Sequence, residues 1–184
     1  MRSSLGTAGR LMAVMGVLAL AACAVAAVEG VNIARDQAIY SSHIDAARAG
    51  NAEAQYRVGN ALCCSLNEGS GPFYSTPQAV SWLCRAAEQN HGPAAFRLGE
   101  IYSGTTVKGV RLAREATETV LGHTTNRAVA YAWMSRAAAL NEPHAAVKRN
   151  EIWTKLSPTE RDSGQAMATG QAPVLCEWRE VTRQ

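Results

Sequence analysis

The chain has few aromatic residues and almost no runs of β-branched residues. Only 6% of its 184 residues are Phe, Tyr or Trp. Strands are built mainly from aromatic and β-branched residues, whereas the frequent Ala of this chain favours helices that pack closely through small side chains. We therefore predict an all-α fold.

An excess of charge of either sign is also missing. The two charges of the N-terminal leader are Arg2 and Arg10, so the remaining chain has 16 basic and 15 acidic side chains. Such a balance gives no electrostatic reason to bind a polyanion. We expect no nucleic-acid partner.

Motifs that carry catalysis or hold metals are absent from the sequence. The histidines show no HExxH or other ligand spacing, and they are His43, His91, His123 and His144. There is no GxSxG elbow and no glycine-rich phosphate loop. We predict no catalytic residues, no metal site and no cofactor.

The N-terminus has the pattern of an export signal. Basic residues precede an apolar run that ends in Leu20-Ala21-Ala22-Cys23. This ending resembles the bacterial lipobox, which implies cleavage before Cys23 and a lipid on its thiol. Ala24 is not an aspartate retention signal, so the resemblance implies the periplasmic side of the outer membrane.

Two other interpretations of the leader stay open. An ordinary signal peptidase would accept the small residues Ala24-Val25-Ala26 and would remove Cys23 with the leader. Alternatively, Leu11 to Val28 is an uncharged run of 18 residues, just long enough to anchor the chain in an inner membrane uncleaved. All three interpretations place the folded part outside the cytoplasm.

Four cysteines follow Cys23, and in an oxidising compartment they are candidates for disulfides: Cys63, Cys64, Cys84 and Cys176. A bridge from Cys63 or Cys64 to Cys84 would close a loop of about 20 residues and stabilise the fold by about 3 kcal/mol. This is the pairing that we favour. The alternative is that some of these cysteines are small buried hydrophobes.

The chain repeats itself. EAQYRVGN at 53–60 returns as PAAFRLGE at 93–100, and AVSWLCRAAEQN from Ala79 returns as AVAYAWMSRAAALNE from Ala128. In each repeat unit, the spacing of apolar residues predicts two helices with apolar stripes. We call the helix formed by EAQYRVGN or PAAFRLGE the first-type helix and the one that follows it the second helix. Gly59 would let a neighbouring backbone come close, and Gly99 would lie where helices approach closely. Ser75 or Thr76 would cap the second helix, with Pro77 in its first turn.

These repeats resemble the Sel1-like repeat family, which is related to tetratricopeptide repeats. The motifs that carry the resemblance are AEAQYRVG, Gly69-Ser70-Gly71, Trp82 and Ala86-Ala87 in one copy, and Leu98-Gly99, Tyr102, Gly109-Val110, Trp133 and Ala137-Ala138 in the next. The resemblance covers about residues 46 to 150. It implies a right-handed α/α solenoid of stacked helical hairpins that binds proteins.

The chain departs from the family pattern in three places. The first loop carries Cys63-Cys64, the second copy has an insertion of about 11 residues within 104–125, and Asn150 stands where a glycine is expected. The last difference is typical of a terminal repeat. We predict a last first-type helix at 144–155 and a capping helix at 158–168 with Ser157 as its cap. The tail after Gly170 shows no helical period.

Equivalent positions on successive first-type helices form a polar ladder. The basic positions are Arg57, Arg97 and Lys148, and three residues after each lie Asn60, Glu100 and Glu151. The resemblance places first-type helices on the concave face, where these side chains would hold carboxylates or backbone carbonyls of a partner. The alternative is a set of solvated charge pairs that contribute little.

We therefore expect a signal peptide at 1–22, a tether at 23–33, the solenoid at 34–169 and a tail at 170–184. The expected function is that of a membrane-tethered adaptor of the cell envelope, which binds a protein or peptide in its groove. An enzyme acting on cell-wall material and a structural subunit of an envelope complex are the alternatives.

If Cys23 carries the lipid, metabolic labelling with a fatty-acid analogue should tag the wild-type protein. Cys23→Ser should abolish the tag, because no other thiol follows a lipobox. An unlabelled wild type whose mature N-terminus lies at Ala27 or beyond would contradict the lipid anchor.

Overall fold

The computed structural model describes residues 32–64, 73–104 and 126–178. The leader with Cys23, the predicted loop glycines of both repeats, and the insertion after Gly104 lie outside the described residues. The chain divides after Ala38 into two compact units. In the first unit, the structure describes only residues 32–38, which are helical. The contacts given below lie in the second unit, residues 39–184.

Every regular element in the described ranges is a helix, as predicted. The seven helices are α1 (32–48), α2 (Ala52–Leu62), α3 (Thr76–Glu88), α4 (Gly92–Tyr102), α5 (Arg127–Ala139), α6 (Ala145–Trp153) and α7 (Pro158–Ala168). Among them, none is long and apolar enough to cross a bilayer. The terminal helices appear where the sequence predicted them.

Sequential helices pack against each other as stacked hairpins. α2 packs on α3, α3 on α4, α4 on α5, and α5 on both α6 and α7. First-type helices α2 and α4 also touch directly. This order is that of an α-solenoid, in which each unit buries its apolar stripe against the next unit.

Side-chain caps begin most of these helices. The Oδ1 of Asn51 accepts a hydrogen bond from the N–H of Ala54 at 2.9 Å, and Ser75 accepts one from Gln78 at the predicted start of α3. Ser157 and Glu160 form a reciprocal capping box at the start of α7. These caps satisfy amide groups that a helix cannot pair internally, so they set the helix starts.

Two glycines lie where helices approach most closely. A Cβ atom on Gly59 would lie 2.7 Å from Cγ of Leu83 and 3.0 Å from the carbonyl oxygen of Ala79. A Cβ atom on Gly99 would lie 2.7 Å from Cγ of Met134. Both distances are shorter than carbon atoms tolerate, so the predicted close approach is confirmed.

The two tryptophans that match across the repeats are buried to different degrees. Trp133 is 1% exposed and lies in the core of the stack. Trp82 is half-buried, and the guanidinium of Arg85 covers its ring at 4.7 Å. Trp133 therefore lies in the core, whereas Trp82 lies at the edge of the core.

The tail beyond α7 packs on the stack although it is not helical. The Nε1–H of Trp133 donates to the carbonyl of Leu175 at 3.3 Å, and the hydroxyl of Tyr102 donates to that of Glu177 at 3.1 Å. Burial, with a smaller effect from the charge of Glu177, raises the pKa of Tyr102 to about 12. The tail thus shields the end of α4 from water.

The favoured disulfide pairing is wrong. Cys84 on α3 pairs with Cys176 in the tail, with their Cα atoms 5.7 Å apart, and Cys63 pairs with its neighbour Cys64. The error has a physical reason, since the tail returns to α3 across 92 residues, which local spacing does not reveal. In the chain-entropy treatment, closing so long a loop stabilises a fold by on the order of 4 to 5 kcal/mol.

Candidate partner-binding face

The ladder residues lie on the three first-type helices, and each of their cations has a carboxylate beside it. Nη1 of Arg97 lies 3.0 Å from Oε2 of Glu100, and Nζ of Lys148 lies 2.8 Å from Oε2 of Glu151. Both pairs have the i, i+3 spacing of the ladder. The face formed by these residues therefore carries paired charges and little net charge.

Arg57 pairs in the opposite direction along its helix. Its Nε lies 2.6 Å from Oε1 of Glu53, one turn earlier, because the residue three positions later is the neutral Asn60. Arg57 is about half exposed, at 52% of its side chain, whereas Arg97 is only 20% exposed. Arg57 is accordingly free to reorient toward a partner, and Arg97 is held by its surroundings.

His91 links α2 to α4 at the centre of this face. It is the N-cap of α4, and its Nδ1 accepts a hydrogen bond from the N–H of Ala94 at 3.2 Å. Because Nδ1 is the acceptor, the proton of the neutral ring is on Nε2, which lies 2.9 Å from Oε2 of Glu53. Both ring nitrogens are engaged, so His91 is not available as a general base.

Tyr56 completes the connection between the two helices. Its ring lies against the ring of His91, with centroids 5.0 Å apart. Burial raises the pKa of Tyr56, the charge of Arg97 opposes this, and Glu53, Glu142 and Glu100 add to the increase. Tyr56 on α2 therefore lies close enough to Arg97 and Glu100 at α4 for their charges to affect its phenol.

The structure connects the ladder helices α2 and α4 through side-chain contacts, whereas the ladder residues of α6 pair with each other. The helices α2 and α4 are joined through a cluster that we call the Glu53 cluster, which consists of Glu53, Tyr56, Arg57 and His91. Arg97 pairs with Glu100 on its own helix. Lys148 and Glu151 pair with each other on α6 and are about half exposed. Asn60 is half-buried on α2, one turn after Tyr56.

Three residues of this face were not among the predicted site residues: Glu53, Tyr56 and His91. A signal for Tyr56 was present, because it is aligned with Phe96 one residue before each ladder arginine. The position of His91 directly before Gly92-Pro93 also marks a helix start. No sequence signal pairs Glu53 with a histidine 38 residues later.

No group of three or more metal-binding side chains comes together anywhere in the described parts of the chain. The polar side chains of the face instead pair with one another and with a helix end. This arrangement suits hydrogen bonding to another chain, since paired surface charges exchange partners at little cost in free energy.

Two segments of the chain match the model of a known repeat family. The Sel1 repeat family model matches residues 52–91, which contain α2, α3 and His91, and residues 121–142, which contain α5. No curated protein and no solved structure matches the chain.

The Glu53 cluster predicts a loss of stability in acid. Burial raises the pKa of Glu53, but hydrogen bonds from His91 and Arg57 together outweigh it and hold the pKa below 4.5. A carboxylate with a lowered folded-state pKa contributes stability above its unfolded-state pKa, and this contribution is lost as the pH falls through the folded-state pKa. Glu53→Gln should therefore reduce the difference in melting temperature between pH 7 and pH 3.

Glu88→Gln on α3 serves as the matched control for this measurement, because Glu88 is exposed. Some acid sensitivity should remain in the Glu53 variant, since hydrogen bonds also lower the pKa of Glu151 and Glu160. Equal pH dependence in the wild type and the Glu53 variant would show that the cluster adds no stability.

Proposed function

Because the chain carries Sel1 repeats, we propose that it is an adaptor whose ladder face binds a segment of a partner protein at a membrane. Sel1 repeats generally mediate protein–protein interactions, and proteins built from them are typically non-enzymatic. The proposal adds a binding face, which is the surface of α2, α4 and α6, and a tether at Cys23.

The observation that supports this face most is the Glu53 cluster. It joins α2 to α4 through a 2.9 Å contact between side chains that are 38 residues apart, and so makes one surface of two helices. Arg57 and Glu53 are each half exposed there. They present a cation and a carboxylate side by side, which complements the N–H and C=O groups of a peptide backbone.

The charges of the face indicate which kind of partner segment it would bind. Arg57, Arg97 and Lys148 each have a carboxylate within 3.0 Å. A polyanion would be repelled by these carboxylates as strongly as it is attracted by the cations. A segment of low net charge that exposes backbone and amide groups suits the face better.

The tether is part of the same proposal. The lipobox-like Leu20-Ala21-Ala22-Cys23 supports a lipid on Cys23 and a location on the periplasmic side of the outer membrane. The solenoid would then collect its partner beside the membrane surface. Restriction to a surface raises the effective concentration of two bound modules without any new contact.

Site-specific photo-crosslinking in cells tests the binding face. A photoreactive residue in place of Arg57 should give a covalent adduct with a partner protein, and one in place of Arg48 should not. Arg48 is the matched control, because it is an exposed arginine of α1 in an ion pair within its own helix.

A second substitution asks whether one ligand crosses several helices. Lys148→Ser should reduce the yield of the adduct formed at position 57, and Lys155→Ser, an exposed lysine just beyond α6, should leave it unchanged. Equal adducts at positions 57 and 48, or no adduct at position 57, would contradict the proposed face.

A further inference from the structure

The docked tail has the alternating burial of a strand, although it lies on helices. From Gln171 to Trp178 every second residue is exposed, and the residues between them are half-buried. The inward residues are Ala172, Val174, Cys176 and Trp178, and the last three of these pack against the core. Alternation with a period of two is the signature of an extended chain.

The surface beneath the tail recognises its main chain. Trp133 and Tyr102 donate hydrogen bonds to the carbonyls of Leu175 and Glu177, which are two residues apart and so point to the same side of an extended chain. Both donors are polar tips of buried aromatic rings. Rigid side chains of this kind bind at a low cost in conformational entropy.

The same surface also receives the inward side chains. The ring of Trp178 lies against the ring of Tyr102, with centroids 5.6 Å apart, and Cys176 reaches Cys84 on α3. Leu175, the outward residue before Cys176, is 48% exposed. We call Cys84, Tyr102 and Trp133 together the tail-docking face.

We propose that the tail-docking face is a second peptide-binding site, in which residues 171–178 are the resident ligand. Once the Cys84–Cys176 disulfide is reduced, the site takes an extended segment of a partner protein that has apolar side chains at alternate positions. The site extends the proposed function and does not depend on it. Its contacts come from α3, α5 and the end of α4, whereas the Glu53 cluster lies on α2 and at the start of α4.

The disulfide decides whether a partner can enter. While it is intact, the tail is present at an effective concentration that a free peptide cannot match. Reduction leaves non-covalent contacts to hold the tail, among them the two main-chain hydrogen bonds and the packing of Val174 and Trp178. The tail is still attached to α7, so a partner segment displaces it only by making stronger contacts or by exceeding its effective concentration.

Reduction needs a dithiol as the co-reactant. Cys84 is 3% exposed and Cys176 is half-buried, so a thiolate of the dithiol attacks Sγ of Cys176. The Cys84–Cys176 bond breaks, and Cys84 leaves as a thiolate that takes up a proton. The second thiolate of the dithiol then attacks the sulfur of the dithiol that is bonded to Sγ of Cys176. Cys176 is released as a thiolate and takes up a proton. Two electrons pass to this chain, and the dithiol becomes a disulfide.

The test uses the full chain with the tail loosened by Cys176→Ser and Trp178→Ser. The probe is a fluorescein-labelled synthetic peptide of residues 171–178 that carries the Cys176→Ser change. Fluorescence anisotropy should show saturable binding to the loosened chain and none to the oxidised wild type. A control peptide exchanges the residues within each of the pairs 171/172, 173/174, 175/176 and 177/178, so that the inward residues become outward. This peptide should not bind.

Variants of the face locate the binding. In the loosened chain, Tyr102→Phe removes only the hydroxyl donor and Trp133→Phe removes the indole donor, and each should weaken peptide binding by roughly 3- to 10-fold. Trp82→Phe is the matched control, because Trp82 is the repeat equivalent of Trp133 on α3 and should leave the affinity unchanged. If circular dichroism shows that Trp133→Phe does not fold, the affinity of Tyr102→Phe alone tests whether the peptide binds at this face.

Several outcomes would overturn this proposal. They are a folded, loosened chain that does not bind the peptide, equal binding by the oxidised wild type, and equal binding of the exchanged peptide. A disulfide-linked dimer formed when the reduced wild type is reoxidised would identify a second copy of the chain as the occupant instead. None of these results affects the adduct at position 57, so the two binding faces fail or succeed separately.

Discussion

The stack depends on two places where a side chain is missing. Gly59 and Gly99 let α2 approach Leu83 of α3 and let α4 approach Met134 of α5, at distances where even a methyl group would collide. Because interiors are packed as densely as organic crystals, such contacts define where a helix lies to within a fraction of an ångström. Each glycine follows its ladder arginine by two residues. The contact that seats the helix therefore also positions Arg57 and Arg97 on the outer surface.

Helix spacing and the polar face are connected through His91. Its ring caps α4, contacts Tyr56 and donates to Glu53, so one residue ends the turn between α3 and α4 and also joins the surface of α4 to that of α2. A wider separation of α2 and α4 would break the contact with Glu53 and leave two unrelated charge pairs. The face is thus a consequence of the packing beneath it. A partner would meet a surface that is largely formed before binding, which lowers the entropy cost of association.

Most of the helical framework was predictable, because it rests on short-range chemistry. The cap at Ser75 and the capping box at Ser157 follow from residue types at fixed spacing. The close approaches at Gly59 and Gly99 join residues far apart in the chain, and they were predictable because the repeat places both glycines at the same position. The wrong disulfide pairing and the docked tail share the opposite cause, since Cys176 lies 92 residues from Cys84 and no local spacing relates the two. The alternation of Ala172, Val174, Cys176 and Trp178 is readable in the sequence, but the surface that it covers is not. The pairing of Glu53 with His91 has the same long-range origin.

The central claim is that the glycine contacts hold the stack, and the chain offers an internal comparison for it. Gly59→Ala places a methyl group against the branched Leu83 and a backbone oxygen, whereas Gly99→Ala meets only the flexible side chain of Met134. The gain in helix propensity is the same for both variants and cancels. Urea unfolding should therefore show Gly59→Ala to be less stable than Gly99→Ala by about 1–3 kcal/mol. Equal stabilities, or a greater loss in Gly99→Ala, would contradict the account.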